Sequence, residues 1–454
     1  MSRNINLTEG NIRLNITKLA LPILGTSFIQ MAYNLIDIMW LGRLSTNAVA
    51  AVGAAGFLLW LGQAFVMISQ IGVGVNVAHC YGRGEYEEAK EFVSNGLQLD
   101  IIIAILYSIF LFVFRHQIIG FFNLDDPEVI AMAVSYLRII SIGIIFHFLN
   151  PVFSVSLNSS GNSLTPFKAN TLGLVINIIA DPILIFGLGP FPALGVEGAA
   201  LATIFAQFCV TLIFIIIGKR YKTIFSNINI FKKPDIDKIK RITRLGIPPA
   251  LQVGYHAIIS MIITRLIANF GPVAVAVQSI GSQIESISWM SAEGFSSAIS
   301  AFIGQNFGAS KFQRIRQGYR EGMQVIGGIG IFASLLMIFA AEPLFTFFLP
   351  DDPLAIQEGI KYLIILGFSQ VFMSVEIGTN GAFNGLGMTI PPTINGMIFN
   401  TMRIPLAYGL SRTVLGLTGI WWAITGSSIL KGLVIYIWFK WYLNKVLEQN
   451  MVLE

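Results

Sequence analysis

The chain has 454 residues, of which 54% are hydrophobic and only 12% charged. Soluble domains carry roughly twice that share of charge, so a chain with a mean hydropathy of +0.72 has too little polar surface to be soluble. A net charge of +5 and only two cysteines, Cys80 and Cys209, argue against a nucleic-acid partner and against a disulfide framework.

A helix crosses the hydrocarbon of a bilayer in about 20 apolar residues. Such stretches follow one another at 16–41, 48–78, 92–114, 130–157, 165–188, 195–218, 244–269, 273–303, 318–341, 357–382, 391–411 and 416–440. The first is too long for a signal-peptide core and lacks a small-residue cleavage site, so it reads as the first membrane helix. No soluble domain fits between the stretches. The expected fold class is an all-α integral membrane protein of about twelve transmembrane helices.

Lys and Arg in short loops set orientation. Arg83 and Lys90 follow the second stretch, and Lys311, Arg314, Arg316 and Arg320 follow the eighth. The segment between the sixth and seventh stretches runs from Lys219 and Arg220 through Lys222, Lys232, Lys233, Lys238 and Lys240 to Arg241 and Arg244. The loop 187–197 has no cation, and 342–358 carries only acids. The basic side is therefore expected in the cytoplasm, with both termini inside.

The second half of the chain repeats the first at an offset of 226. Pro248 falls on Pro22, Gly308 on Gly82, Asp351-Asp352-Pro353 on Asp125-Asp126-Pro127, Tyr362 on Tyr136, Asn384 on Asn158 and Gly387 on Gly161. Later the register slips, and Gly416 and Gly419 match Gly195 and Gly198. A duplicated, apolar chain is the signature of a transporter built from two structural repeats. An even number of helices per repeat makes both halves start on the same side. Two six-helix lobes related by a pseudo-two-fold along the membrane normal are expected: 1–218 and 245–454, joined by a cytoplasmic linker at 219–244.

Ionisable residues inside membrane segments are costly and therefore informative. In the first stretch Gln30, Tyr33, Asn34 and Asp37 recur every three or four residues and share one helix face. In the fifth, Asn177 and Asp181 are four apart, and Pro182 frees a backbone carbonyl beside them. Carboxylates, an amide oxygen, a phenol and a free carbonyl can hold a cation or relay a proton. The position matching Asp37 is Ile263, and the candidates matching Asp181, Ile404 and Ala407, are not acidic, so the acid pair belongs to the first repeat alone. The second half has its own polar set of His256, Arg265, Glu285, Glu293, Glu376 and Arg403, with Glu376 matching Asn150 and His256 matching Gln30. Glu285, Glu376, His256 and Arg265 are candidates to face a substrate cleft, and pairing of either Glu with Arg265 or Arg403 is the structural alternative. Arg138 and His147 read as structural or interfacial. No GxxxxGK[ST], HExxH or GxSxG motif is present, so neither a P-loop nor those catalytic centres are expected, and energy would come from an ion gradient.

At these residues the chain resembles the multidrug and toxic compound extrusion (MATE) family, within the larger oligosaccharidyl-lipid flippase superfamily. The likeness is carried by Leu19-Ala20-Leu21-Pro22, Asp37-Ile38-Met39-Trp40-Leu41-Gly42, Asn177 through Gly187, Gly195-Val196-Glu197-Gly198-Ala199-Ala200 and Gly304-Gln305-Asn306-Phe307-Gly308-Ala309. It implies a two-lobed antiporter, not an enzyme, that exports small organic, often cationic, drugs or toxins across the plasma membrane in exchange for H+ or Na+. In the branch with acids in helices one and five, the cation site lies in the first lobe. Carried over, it comprises Asp37, Asn177 and Asp181, where Na+ could be held as a metal ion, with Gln30, Tyr33, Asn150 and Thr203 as neighbours. A second branch has an acid in helix seven, where this sequence has His256 and Arg265. Pro22 is the expected bend point. No cofactor and no partner beyond substrate, ion and membrane lipid are expected, and the chain is expected to act as a monomer. The alternatives are a lipid-linked precursor flippase of the same superfamily and, from a different class, a membrane-embedded aspartyl enzyme; the latter lacks a GxGD motif here.

Overall fold

The computed structural model describes residues 4–122, 124, 126–220, 224–226, 228, 232–350 and 352–451. Asp125, Lys222 and Asp351, named above, lie outside them. The described residues form fourteen helices and no strand. In the first half these are α1 (Ile12–Leu44), α2 (Thr46–Arg83), α3 (Tyr86–Phe121), α4 (Pro127–Ser159), α5 (Leu164–Phe186) and α6 (Val196–Arg220). In the second they are α7 (Ile236–Ala268), α8 (Pro272–Gly308), α9 (Phe312–Phe339), α10 (Ala341–Phe348), α11 (Pro353–Gly367), α12 (Gln370–Gly385), α13 (Ile390–Ser411) and α14 (Leu417–Met451).

The expected single stretch 357–382 is broken. Its parts, α11 and α12, meet at a bend of 49°, where Ser369 Oγ donates to the Leu366 carbonyl that the break releases, at 2.8 Å. The acidic loop expected at 342–358 contains the short helix α10. Nine described helices are long and apolar enough to cross a membrane, and ten if the bent pair counts as one span. The two long helices that fall short are α8, which carries Gln278, Gln283, Glu285 and Glu293, and α13, which opens on Pro391-Pro392 and holds Asn395, Asn400 and Arg403. Polar side chains lower their hydropathy below that of the neighbours.

The repeat is visible in how helices begin and turn. Asp126 caps α4 through the backbone N–H of Glu128 (2.8 Å), and Asp352 caps α11 through that of Ala355 (3.0 Å); each is followed by a proline at the first helical position. The Asp-Pro match thus encodes two helix starts. Gly161 (φ 89°) and Gly387 (φ 76°) make left-handed turns at matching positions, where a side chain would be strained. At Gly161 an added Cβ would also meet the Ile5 carbonyl oxygen at 2.4 Å.

Two compact units result. One comprises Met1–Ile5 and Gly25–Ile247, the other Asn6–Leu24 and Pro248–Glu454. A cut in the linker would not give this division. The first half of α1 belongs with the second unit, and the beginning of α7 with the first. Each crossing lies at or near a matched proline, Pro22 in α1 and Pro248 in α7. The N-terminal segment is fastened to the second unit by polar anchors: Asn306 Nδ2 donates to the Leu7 carbonyl (3.1 Å), Lys311 Nζ to that of Thr8 (2.9 Å), and Arg314 Nη1 to that of Gly10 (3.1 Å). The linker is fastened to the first unit in the same way. Asn95 Oδ1 accepts from the Asp235 N–H (2.7 Å), and Gln98 Nε2 donates to the Lys232 carbonyl (2.7 Å).

In the first unit, α2, α3 and α4 enclose one apolar cluster around Val73, Phe92, Leu97 and Val152, and a second around Val66, Ala104, Tyr107 and Phe148. In the second unit the main cluster is built around Tyr362, Leu363 and Trp421, with Tyr362 and Trp421 edge to face at 4.7 Å between ring centroids.

Candidate functional site

Two members of the polar stripe of α1, Tyr33 and Asp37, meet Asn177 and Asp181 of α5 inside the first unit, while Gln30 and Asn34 are exposed. Asn177 and Asp181 are fully buried, Tyr33 is nearly so, and Asp37 is half-buried. Their four-residue spacing on α5 lets Asn177 Nδ2 donate to Asp181 Oδ1 at 3.2 Å. From α6, Thr203 Oγ1 donates to Asp37 Oδ2 at 3.3 Å. Side-chain interactions reach from Asp37 to Asp181 and Asn177 as well, so the two acids face each other across the helix pair. Gly173, one turn before Asn177, leaves room for Tyr33: a Cβ there would meet the Tyr33 hydroxyl at 2.6 Å.

The cluster holds more acceptors than donors. Among the described residues Asp37 Oδ1, Asp181 Oδ2, Asn177 Oδ1 and the Tyr33 hydroxyl are buried without a hydrogen-bond partner. Pro182 has no N–H for the Ile178 carbonyl, four residues earlier in α5. No Lys or Arg forms an ion pair with either acid among the described residues. Two facing, poorly hydrated carboxylates cannot both stay ionised without a positive charge between them. The donor set suits either a proton shared by the acids or a hard cation with oxygen ligands.

Two of the neighbours expected from the family are elsewhere. Asn150 on α4 turns to α6, donating to the Gln207 side chain (2.8 Å) and accepting from Thr211 Oγ1 (2.8 Å). Gln30 is exposed. Sequence reading missed Tyr136 on α4, buried and in electrostatic reach of both Asp37 and Asp181. Its match with Tyr362 across the repeat was the available signal.

The second unit builds a different site at the matching place. Glu376 on α12 pairs with Lys431 on α14, Oε2 to Nζ at 3.0 Å, with both side chains almost wholly buried. This corrects the expectation that Glu376 pairs with Arg265 or Arg403. Lys431 is a lysine in the middle of the last apolar stretch and could have been found as such. Glu285 accepts from Gln370 Nε2 at 3.0 Å. Arg403 on α13 donates to Ser427 and Ser428 Oγ, both at 2.8 Å, and it interacts electrostatically with Glu285, Glu376 and Tyr362. His256 on α7 is exposed yet in reach of Arg403 and Lys431. Arg265 is exposed near the end of α7 and forms no ion pair among the described residues. Two buried acids are thus balanced by two bases in this cluster, whereas Asp37 and Asp181 pair with none among the described residues.

The sequence profile of the MatE family matches the chain twice, over residues 22–183 and 248–409. The two matches are separated by the same 226 residues as the internal repeat (248 − 22 and 409 − 183). The chain is similar to a probable multidrug resistance protein NorM of Thermotoga maritima, 28% identical over 98% of this chain and 96% of that one. It is also similar to a FAD transporter of Shewanella oneidensis, 26% identical over 94% and 93%. Among solved structures, MATE in the bent and in the straight conformation each superpose with a TM-score of 0.91 at 22% identity. They cover 98% of both chains in the bent case, and 99% of this chain and 100% of the other in the straight case.

Proposed function

Since this chain belongs to the MatE family of transporters, we propose that it is a cation-coupled antiporter that exports small organic compounds, drugs or toxins among them, by alternating access. The single observation that carries the coupling is the pair Asp37 and Asp181 with its unpartnered oxygens. A proton or Na+ satisfies that cluster, and a cationic cargo competes with it. Coupling requires that ion and cargo favour different states, because equal affinity for both shifts nothing. Asp37, Asn177 and Asp181 hold the ion; Thr203 orients the first acid, and Tyr33 completes the oxygen set. The stretch of α1 between Pro22 and Gly25, where its two parts join different units, is the place for a bend. Glu285, Glu376, His256 and Arg265 are proposed to influence the cargo, with Glu376 restrained by Lys431. Cytoplasmic termini are supported by the cation-rich loops, and the plasma membrane by the likeness to multidrug resistance proteins of bacteria.

The test is counter-transport in proteoliposomes under an imposed pH or sodium gradient, with a cationic dye and, given the FAD transporter among the relatives, FAD as alternative cargoes. Wild-type protein should accumulate cargo against its gradient. The Asp37→Asn protein should insert normally and lose that accumulation. Accumulation by Asp37→Asn at the wild-type rate would remove the acid pair from the coupling reaction.

A further inference from the structure

A third acid lies inside the first unit, away from the pair just described. Asp100 is in the middle of α3 and fully buried. Neither of its oxygens has a hydrogen-bond partner among the described residues, and the same holds for the fully buried hydroxyl of Ser69 on α2. Ser69 is nevertheless the side chain whose interaction reaches the carboxyl. The hairpin geometry explains the pairing. α2 and α3 run antiparallel from the turn at Gly84, and Val73 lies against Gly96, where an added Cβ would meet Val73 Cγ2 at 2.2 Å. One turn further from Gly84, the same register sets Ser69 opposite Asp100. Both stand roughly 22 Å from the cytoplasmic turn by helix rise, deep in the membrane. They interrupt the packing between the two apolar clusters of α2, α3 and α4.

Among the described residues no positive charge pairs with Asp100. α7, which packs on α2 either side of Ser69 (Gly72 against Ile242, Gly246 against Ile68), carries Arg241 and Arg244, but both are exposed and neither acts on the carboxyl. On α2 the nearest titratable groups are Cys80 and His79, ten or more residues toward the cytoplasm, about 15 Å away by rise. On α4, His147 stands at a similar height, but it is the adjacent Phe148 that is buried between α2, α3 and α4, and His147 has no electrostatic interaction with Asp100. On α3 itself Tyr107 is engaged with the Leu58 carbonyl at 2.6 Å. A carboxylate at that depth with neither donor nor cation is not sustainable. Asp100 and Ser69 offer too few oxygens for a metal ion of six or more ligands.

A polar face leads to the site from the cytoplasm. On α2, Ser69 and Asn76 are seven residues apart on the same face, and His79 follows one turn later; all three are buried. Asn76 Nδ2 is engaged with the Gly72 carbonyl at 2.7 Å, while its Oδ1 is buried without a partner. The matching positions of the second repeat are Phe295 and Ile326 for Ser69 and Asp100, so this feature, like the acid pair, belongs to the first repeat alone.

We propose that Asp100, with Ser69, is a second proton-binding site of the first unit, loaded from the cytoplasmic side along the Ser69–Asn76–His79 face of α2. The site holds a proton as a neutral carboxyl and exchanges it with the cytoplasm, independently of the ion held between Asp37 and Asp181.

The experiment is infrared difference spectroscopy on the full-length protein in lipid, reading the C=O stretch that protonated carboxyls show and carboxylates lack. The expected result is one such band lost in Asp100→Asn and retained in Asp37→Asn, which separates this site from the antiport reading. On transfer to D2O the band should shift, and in Asn76→Leu it should persist while its isotope shift slows. Should Asp100→Asn not fold, Ser69→Ala leaves the carboxyl in place and should move the frequency of the same band. An Asp100→Asn spectrum identical to wild type overturns the site. A band that never shifts in D2O, or shifts equally fast in Asn76→Leu, overturns the route.

Discussion

Arg403 stands at the position of Asn177 in the other repeat, 226 residues later. In the first unit that position offers an amide to Asp181. In the second it offers a guanidinium, held by two serine hydroxyls and balanced with Lys431 against Glu285 and Glu376. One copy of the duplicated fold leaves its facing acids without a fixed positive charge among the described residues, and the other carries its cations covalently.

Transplanting that difference is a direct check. Asn177→Arg places a guanidinium among Asp37 and Asp181 and should abolish the dependence of cargo accumulation on an imposed ion gradient while the protein still reaches the membrane. Sodium binding by titration calorimetry, where the wild type shows it, should vanish with it. Unchanged gradient dependence would contradict the assignment of the cation site.

The buried pair Glu376–Lys431 makes a stability prediction. Lys431→Met leaves an uncompensated acid in the second unit and should cost about 3–5 kcal/mol, read as a drop in the thermal unfolding midpoint in detergent. Adding Glu376→Gln to Lys431→Met should recover most of the loss. If the double variant is as unstable as the sum of the two single variants, the pair is not coupled.

Gly173→Ala tests the fit of Tyr33. The new Cβ would lie 2.4 Å from Val210 Cγ2 and 2.6 Å from the Tyr33 hydroxyl, and overpacking of that kind costs roughly 1–3 kcal/mol. Tyr33→Phe in the same protein should restore part of the thermal stability but not the wild-type ion dependence. That split would not arise if Gly173 served only helix packing.

The two matched helix caps should not be equal. Loss of a capping Asp costs about 0.5–2 kcal/mol. Asp126 also accepts a hydrogen bond from Asn47 Nδ2 at 3.2 Å, at the start of α2, so Asp126→Ala should lower the unfolding midpoint more than Asp352→Ala. Equal losses would mean that the Asn47 contact contributes nothing.

At the start of α7, Asp235 accepts from the N–H groups of Lys238 and Asp237, and those bonds, with the Lys238 ammonium, hold its carboxyl below the usual range. A depressed folded-state value contributes stability above the ordinary carboxylate value of about 3.9 that is lost as pH falls through and below it. Asp235→Asn should therefore flatten the acid limb of a stability-versus-pH curve measured below about pH 4.

Much of this was legible in the chain itself. Charge scarcity and the length of apolar runs gave the helices, and the constant offset gave the repeat. The four-residue spacing of Tyr33 with Asp37, and of Asn177 with Asp181, put those side chains on common faces. What spacing along one helix does not carry is rotation against its neighbours. Asn150 turns to Gln207 and Thr211, which lie one to two turns beyond Thr203 on α6, and Glu376 found Lys431 on a helix far away in sequence. The break between α11 and α12 was hidden because both parts are apolar. Asp100 was passed over because it begins an otherwise uniform run of Ile and Leu, with no polar stripe on its own helix to mark it. Lys431, in the middle of an apolar stretch, escaped for the same reason.

The division of α1 and α7 between units has a bearing on how such a chain comes to exist. Severed in the linker, each fragment would carry a helical segment that completes the other product and would lack one that completes its own. Neither product is a self-sufficient module. Half-genes expressed alone should give polypeptides that are inserted and then degraded, whereas co-expression should rescue both by reciprocal exchange of those segments. A lone six-helix ancestor with this architecture would have had to lend its first helix to a second copy of itself.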